Sequence, residues 1–233
     1  AKGGFVGVGT LAIPMMALAV SPVQAAAVLL PLLIVQDAVG VWSYRRTWNK
    51  RIMRIFMPGG FLGLAIGYWY AATLSEAWVL IAVGMLSVLF GVQRLWVERH
   101  GRSVVSQRLP DWVGVLLGVG SGVGSQIAHA GGPPFLLYTL PQRLPRDEFV
   151  GTTIILFATL NWIKVGTYSA LGQFTVANLL ASAVLMPVAI VSTFAGVRLV
   201  RTVEPERFYL LVNLLMALVG LKLLWDGAHM LGF

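Results

Sequence analysis

Seven stretches of this chain are apolar and long enough to reach across a bilayer, and nothing else in the sequence restricts its fold as strongly. They run Val23–Tyr44, Ile52–Ala72, Ala77–Val97, a broken stretch Val113–Leu140, Phe149–Leu171, Val176–Leu199 and Phe208–Trp225. Helices rise 1.5 Å per residue, so about 20 residues cover the roughly 30 Å of a hydrocarbon core. Backbone groups there find no water, which predicts an all-α polytopic membrane protein. Only 11% of the residues are charged, against about a quarter in soluble domains.

Charge sets the topology. Lys and Arg number 17 against 9 Asp and Glu, a net charge of +8. Such a surplus suits nucleic acid, but these residues occupy short loops between apolar stretches, the positive-inside pattern, so no nucleic acid is expected. Arg45, Arg46, Lys50, Arg51 and Arg54 share one loop, and Arg94, Arg99, Arg102 and Arg108 another. Arg143 and Arg146 precede the fifth stretch, and Arg198, Arg201 and Arg207 surround the last loop. All fourteen face the cytoplasm only if Val113–Leu140 enters and leaves on one side, as a re-entrant hairpin broken at Ala130–Pro134. A kinked helix that spans once is the alternative.

Overlaying the halves exposes a repeat. At an offset of 129, Pro58, Gly67, Gly91 and Trp96 fall on Pro187, Gly196, Gly220 and Trp225; at 124, Asp37 falls on Asn161 and Tyr44 on Tyr168. One further residue of slippage brings Gly9 onto Gly132. Two units are expected, 1–108 and 109–233, each a broken-helix hairpin plus three transmembrane helices. Three spans per unit invert the second unit relative to the first, a transporter arrangement. The stretch from Val113 to Val123 has no counterpart ahead of Ala1, so the first unit is expected to lack about one half-helix.

Lys2-Gly3-Gly4-Phe5, Gly131-Gly132-Pro133-Pro134, the duplicated unit and Pro205-Glu206-Arg207-Phe208 together resemble the TauE/SafE sulfite exporter family, over essentially the whole chain. The resemblance implies an inner-membrane carrier for sulfite, sulfoacetate or related small sulfur oxyanions and organosulfonates, ion-coupled, working among membrane lipid and without a cofactor. It leaves a homodimer open.

Several residues suit an anion. Lys2 precedes the first glycine-rich tip and is either an ammonium at membrane depth, which tends to face a cavity, or an ordinary terminal lysine. His129 precedes the second tip, with Ser125 and Gln126 on the same turn; their donors suit anion oxygens, and the imidazole can relay a proton. A structural histidine is the plainer reading. The tips, Gly7, Gly9 and Thr10 with Gly131, Gly132 and Pro133, can aim backbone N–H groups at a negative charge, or serve only to turn the chain. Asp37, Asn161 and Lys164 are the candidates for ion coupling, with Asp37 and Lys164 as a buried pair. Lys222 and Arg94 snorkel from helix ends.

Two other function classes compete with a carrier. Ser125 and His129, four residues apart, suggest an intramembrane hydrolase, although no G-x-S-x-G elbow accompanies them. An anion channel is the other. The chain has no cysteine, which excludes thiolate chemistry and metal sites built on it.

Overall fold

The computed structural model describes residues 12–73, 75–100, 109–142, 144–202 and 205–232. Among them the regular structure is entirely helical: α1 (Ala12–Met16), α2 (Pro22–Tyr44), α3 (Lys50–Thr73), α4 (Glu76–His100), α5 (Asp111–Ala128), α6 (Gly132–Thr139), a 3-10 turn at Leu140–Gln142, α7 (Arg146–Ala170), α8 (Val176–Thr202) and α9 (Pro205–Met230). Within the described residues, α2, α3 and α7 are long and apolar enough to cross a membrane. The pattern of burial is that of a protein solvated by lipid. Trp42, Trp69, Val184, Val188 and Val191 lie exposed, whereas Asp37, Ser121, Gln126, Asn161 and Lys164 are buried.

Contacts divide the chain into two compact units, neither continuous in sequence. One holds Leu33–Leu74 and Ser103–Gly172, the other Leu11–Leu32, Ser75–Arg102 and Gln173–Phe233. The boundary falls within α2.

In the first unit, the stretch read as broken is a hairpin. Gly114 packs against the Tyr138 ring and Gly120 lies opposite Pro134. As one position advances along α5 its partner recedes along α6, so α6 runs back beside α5. A single kinked span would separate these pairs.

The hairpin is fixed on α3 by glycine. With no hydrophobic drive between helices in lipid, close backbone approach has to supply the packing. A Cβ added at Gly59, Gly63 or Gly122 would overlap the carbonyl oxygen of Val115, Val119 or Gly60 respectively, and one at Gly118 would lie 2.6 Å from that of Phe56. Both helices thus offer a small residue to the other's backbone, which explains the four-residue spacing in each. Around this seam Ile52, Phe56, Leu64, Phe135, Tyr138, Leu156 and Leu160 form a buried cluster. Phe56 meets Phe135 edge to face, with ring centres 5.4 Å apart. Such pairs contribute about 1 kcal/mol beyond the area they bury.

The second unit has a looser seam between α4 and α9. A Cβ at Gly84 would sit 2.8 Å from the Gly220 carbonyl oxygen, and one at Gly220 2.9 Å from that of Gly84.

One polar contact occurs in both units. In the first, Asn49 Nδ2 donates to Glu148 Oε1 at 2.7 Å; in the second, Gln24 Nε2 donates to Asn178 Oδ1 at 3.3 Å. The offset of 124 carries Gln24 onto Glu148, and the offset of 129 carries Asn49 onto Asn178.

Candidate functional site

At the tip of the hairpin, α5 ends on a residue whose backbone is left-handed. His129 has φ 49° and ψ 23°, and among the described residues it is the only non-glycine with positive φ. Histidine tolerates this region better than most side chains, yet it remains a costlier choice than glycine. The His129 N–H donates to the Ser125 carbonyl at 3.2 Å and the Ala130 N–H to that of Gly124 at 2.9 Å, which caps the helix. The turn expected of Gly131 and Gly132 is therefore made two residues earlier, by the histidine. Gly131 serves close packing instead: a Cβ there would lie 2.6 Å from the Ser121 carbonyl oxygen and 2.8 Å from the Phe157 ring. Ser121 Oγ also donates to the Gly131 carbonyl at 2.6 Å, tying the tip back to α5. Gly132 opens α6, with Pro133 behind it.

Against this tip lies α7. Lys164 is completely buried. Its Nζ donates to the Ser125 carbonyl at 3.0 Å and lies 2.6 Å from His129 Nδ1. One turn later Tyr168 stacks on the imidazole, with planes 15° apart and centres 6.2 Å apart, while its hydroxyl donates to the Gln126 carbonyl at 2.8 Å. Gln126 Nε2 donates to Thr167 Oγ1 at 3.1 Å. One face of α7 thus grips the last turn of α5 through Lys164, Thr167 and Tyr168.

One turn before Lys164, Asn161 Nδ2 donates to Asp37 Oδ2 at 2.7 Å, and both residues are buried. These two positions, related by the offset of 124, meet each other directly. An amide donor meets part of the cost of burying a carboxylate.

Ser125, Gln126, His129 and Lys164 thus come together from α5 and α7, and Asp37 and Asn161 from α2 and α7. Lys2, Gly3, Gly4, Gly7, Gly9 and Thr10 lie outside the described residues, as does the side chain of Arg94. Lys222 is exposed and pairs with Asp226 one turn on. Thr167 and Ser121 did not stand out in the sequence, and Tyr168 did so only as the repeat partner of Tyr44, although Lys164, Thr167 and Tyr168 at i, i+3 and i+4 share one helix face. A hydrolase would need the Ser125 hydroxyl on the imidazole; instead Nδ1 faces Lys164 and the Ser125 carbonyl. No group of three His, Asp or Glu suited to a metal ion occurs among the described residues. A donor-rich cluster around a buried lysine at a helix break suits an anion.

Comparison with known proteins points the same way. The family model described as "Sulfite exporter TauE/SafE" matches residues 1–223. A protein of Comamonas testosteroni described as "Probable inner membrane transporter protein TsaS" is 25% identical over 177 residues, which cover 74% of this chain and 71% of the relative. No solved structure matches.

Proposed function

The chain belongs to the sulfite exporter TauE/SafE family, and on that premise we propose that it carries sulfite, sulfoacetate or a related small sulfur anion across the bacterial inner membrane. It is a multi-pass membrane transporter, not an enzyme. The observation that carries the choice of cargo is the completely buried Lys164 held against His129 at the tip of the hairpin. In this reading Ser125, Gln126, His129 and the tip Gly131, Gly132 and Pro133 form half of the anion site. Lys2, Gly3, Gly4, Gly7, Gly9 and Thr10 supply the other half. The two tips belong to inverted units, 1–108 and 109–233, and access alternates around them. Asp37, Asn161 and Lys164 couple the cycle to an ion, most simply a proton.

Uptake of sulfite and sulfoacetate into reconstituted vesicles, with and without a pH gradient, tests this. His129→Ala is expected to lower flux about tenfold, the equivalent of one hydrogen bond to a charge. Flux indifferent to both Lys2→Ala and His129→Ala overturns the site. For topology, single cysteines at Thr73, Gly172 and Arg201 probe a chain with none of its own. Labelling at 201 from the same side as at 73 overturns the inverted arrangement.

A further inference from the structure

Among the described helices, α2 alone belongs to both compact units, because the boundary between Leu32 and Leu33 cuts it in two. Its N-terminal half is held by α8. Gln24 Nε2 donates to Asn178 Oδ1 at 3.3 Å, and the Ser182 hydroxyl donates to the Val28 carbonyl at 2.8 Å. Its C-terminal half is held by α7. Asp37 accepts from Asn161 at 2.7 Å, and a Cβ added at Gly40 would lie 2.9 Å from Ile154 Cγ2. A helix gripped at its two ends by different neighbours either passes force along rigidly or yields between the grips.

The place where α2 can yield lies beside that boundary. Pro31 sits inside the helix, two residues before Leu33. Proline has no N–H, so the Ala27 carbonyl loses the donor that a regular helix would give it, and the ring crowds the same carbonyl. Sharp bends in helices concentrate at prolines and where a side chain enters the hydrogen-bond ladder. Both conditions meet here, since Ser182 donates to the very next carbonyl, that of Val28.

Two comparisons separate Pro31 from an incidental proline. Pro58 in α3 and Pro187 in α8 are also interior to their helices, but both flanks of each lie within a single unit. Those two prolines also fall on each other at the offset of 129, whereas the offset of 124 carries Pro31 onto Ile155. The repeat counterpart of α2, α7, thus runs without proline and lies whole within one unit.

We propose that Pro31 is a hinge in α2, so that the half carrying Asp37 moves with α7 while the half carrying Gln24 stays with α8. Hinges are a few residues that absorb a backbone change while the elements on either side keep their contacts. Asn161, which bonds Asp37, lies one turn from Lys164, so the moving half is tied to the helix that bears the proposed anion site. The inference rests on the alternating access proposed above for what drives the motion; the hinge itself rests on α2.

The test is the measurement of distances between spin labels in lipid, on paired cysteines introduced into a chain with none of its own. Labels at Val39 and Val184, both exposed, straddle the hinge, whereas labels at Val176 and Leu218, also exposed, lie within one unit. The straddling pair is expected to show two distances whose proportions shift with sulfite, and the other pair one. Pro31→Ala returns the missing N–H. It is expected to melt no lower than the parent, to leave the straddling pair a single distance, and to lower the maximal rate of sulfite uptake about tenfold. Pro58→Ala should keep both distances. A single distance for the straddling pair in the unsubstituted Pro31 protein overturns the hinge, as do two distances that persist in Pro31→Ala. Two distances that ignore sulfite but merge in Pro31→Ala leave the hinge standing and count against the anion reading.

Discussion

Asn49 with Glu148 and Gln24 with Asn178 are the same contact made with different chemistry. Where the first unit has a carboxylate accepting at 2.7 Å, the second has an amide accepting at 3.3 Å. Hydrogen bonds to an ionised acceptor are shorter and about twice as strong as neutral ones. The seams differ in the same sense: carbonyl oxygens press closer on the glycines of α3 and α5 than on those of α4 and α9. These two contacts join positions related by the offsets of 124 and 129 while the strength of the joint shifts, and the stronger joints surround the hairpin that carries His129.

The sharpest way to probe the correspondence is at Asp37 and Asn161, where two related positions touch. Asn161→Asp alone puts two buried carboxylates within hydrogen-bonding distance and is expected to cost about 3 kcal/mol. The exchange Asp37→Asn with Asn161→Asp restores one acid and one amide, and most of the loss should return. Thermal unfolding in detergent reads both. If the double variant is as damaged as the single one, the two positions are not interchangeable.

Next in size is the difference between seams. Gly122→Ala forces a methyl into a backbone that cannot yield, at about 2–3 kcal/mol, whereas Gly84→Ala should cost about 1 kcal/mol. Equal melting shifts for the two would remove the contrast.

The smallest effect concerns the paired contacts themselves. Asn49→Ala loses the bond to Glu148 and also a cap, because Asn49 Oδ1 accepts from the Ile52 N–H at 2.9 Å. About 2 kcal/mol is expected. Gln24→Ala, on an exposed residue, should cost roughly 0.5 kcal/mol. A reversed order would show that the amide joint is the stronger.

Much of this was legible in the sequence. Apolar length marked α2, α3 and α7, and the Gly-Pro run at 131–134 located the hairpin break to within two residues, because these residue types have few other places in a helix. The glycines of α3 and α5 recur every four residues and so return to one side of each helix, the side that forms the seam. What pattern could not reveal is contact across distance. Lys164 and His129 are 35 residues apart, and their meeting depends on a left-handed turn at a residue that would not be chosen for one. Asp37 was expected to pair with Lys164; that it takes a bond from Asn161 follows from where two helices cross, which no periodicity encodes.

That turn at His129 sets a trade between folding and work. Glycine would occupy φ 49° with less strain, so a chain selected for stability alone would have little reason to place an imidazole there. Exchanging His129 for glycine should relax the backbone of the tip while removing the ring that Lys164 and Tyr168 hold. Alanine keeps the positive φ and loses the ring, so the backbone demand stays and the chemistry goes. Asparagine, which accepts left-handed geometry, keeps a polar group in place of the imidazole.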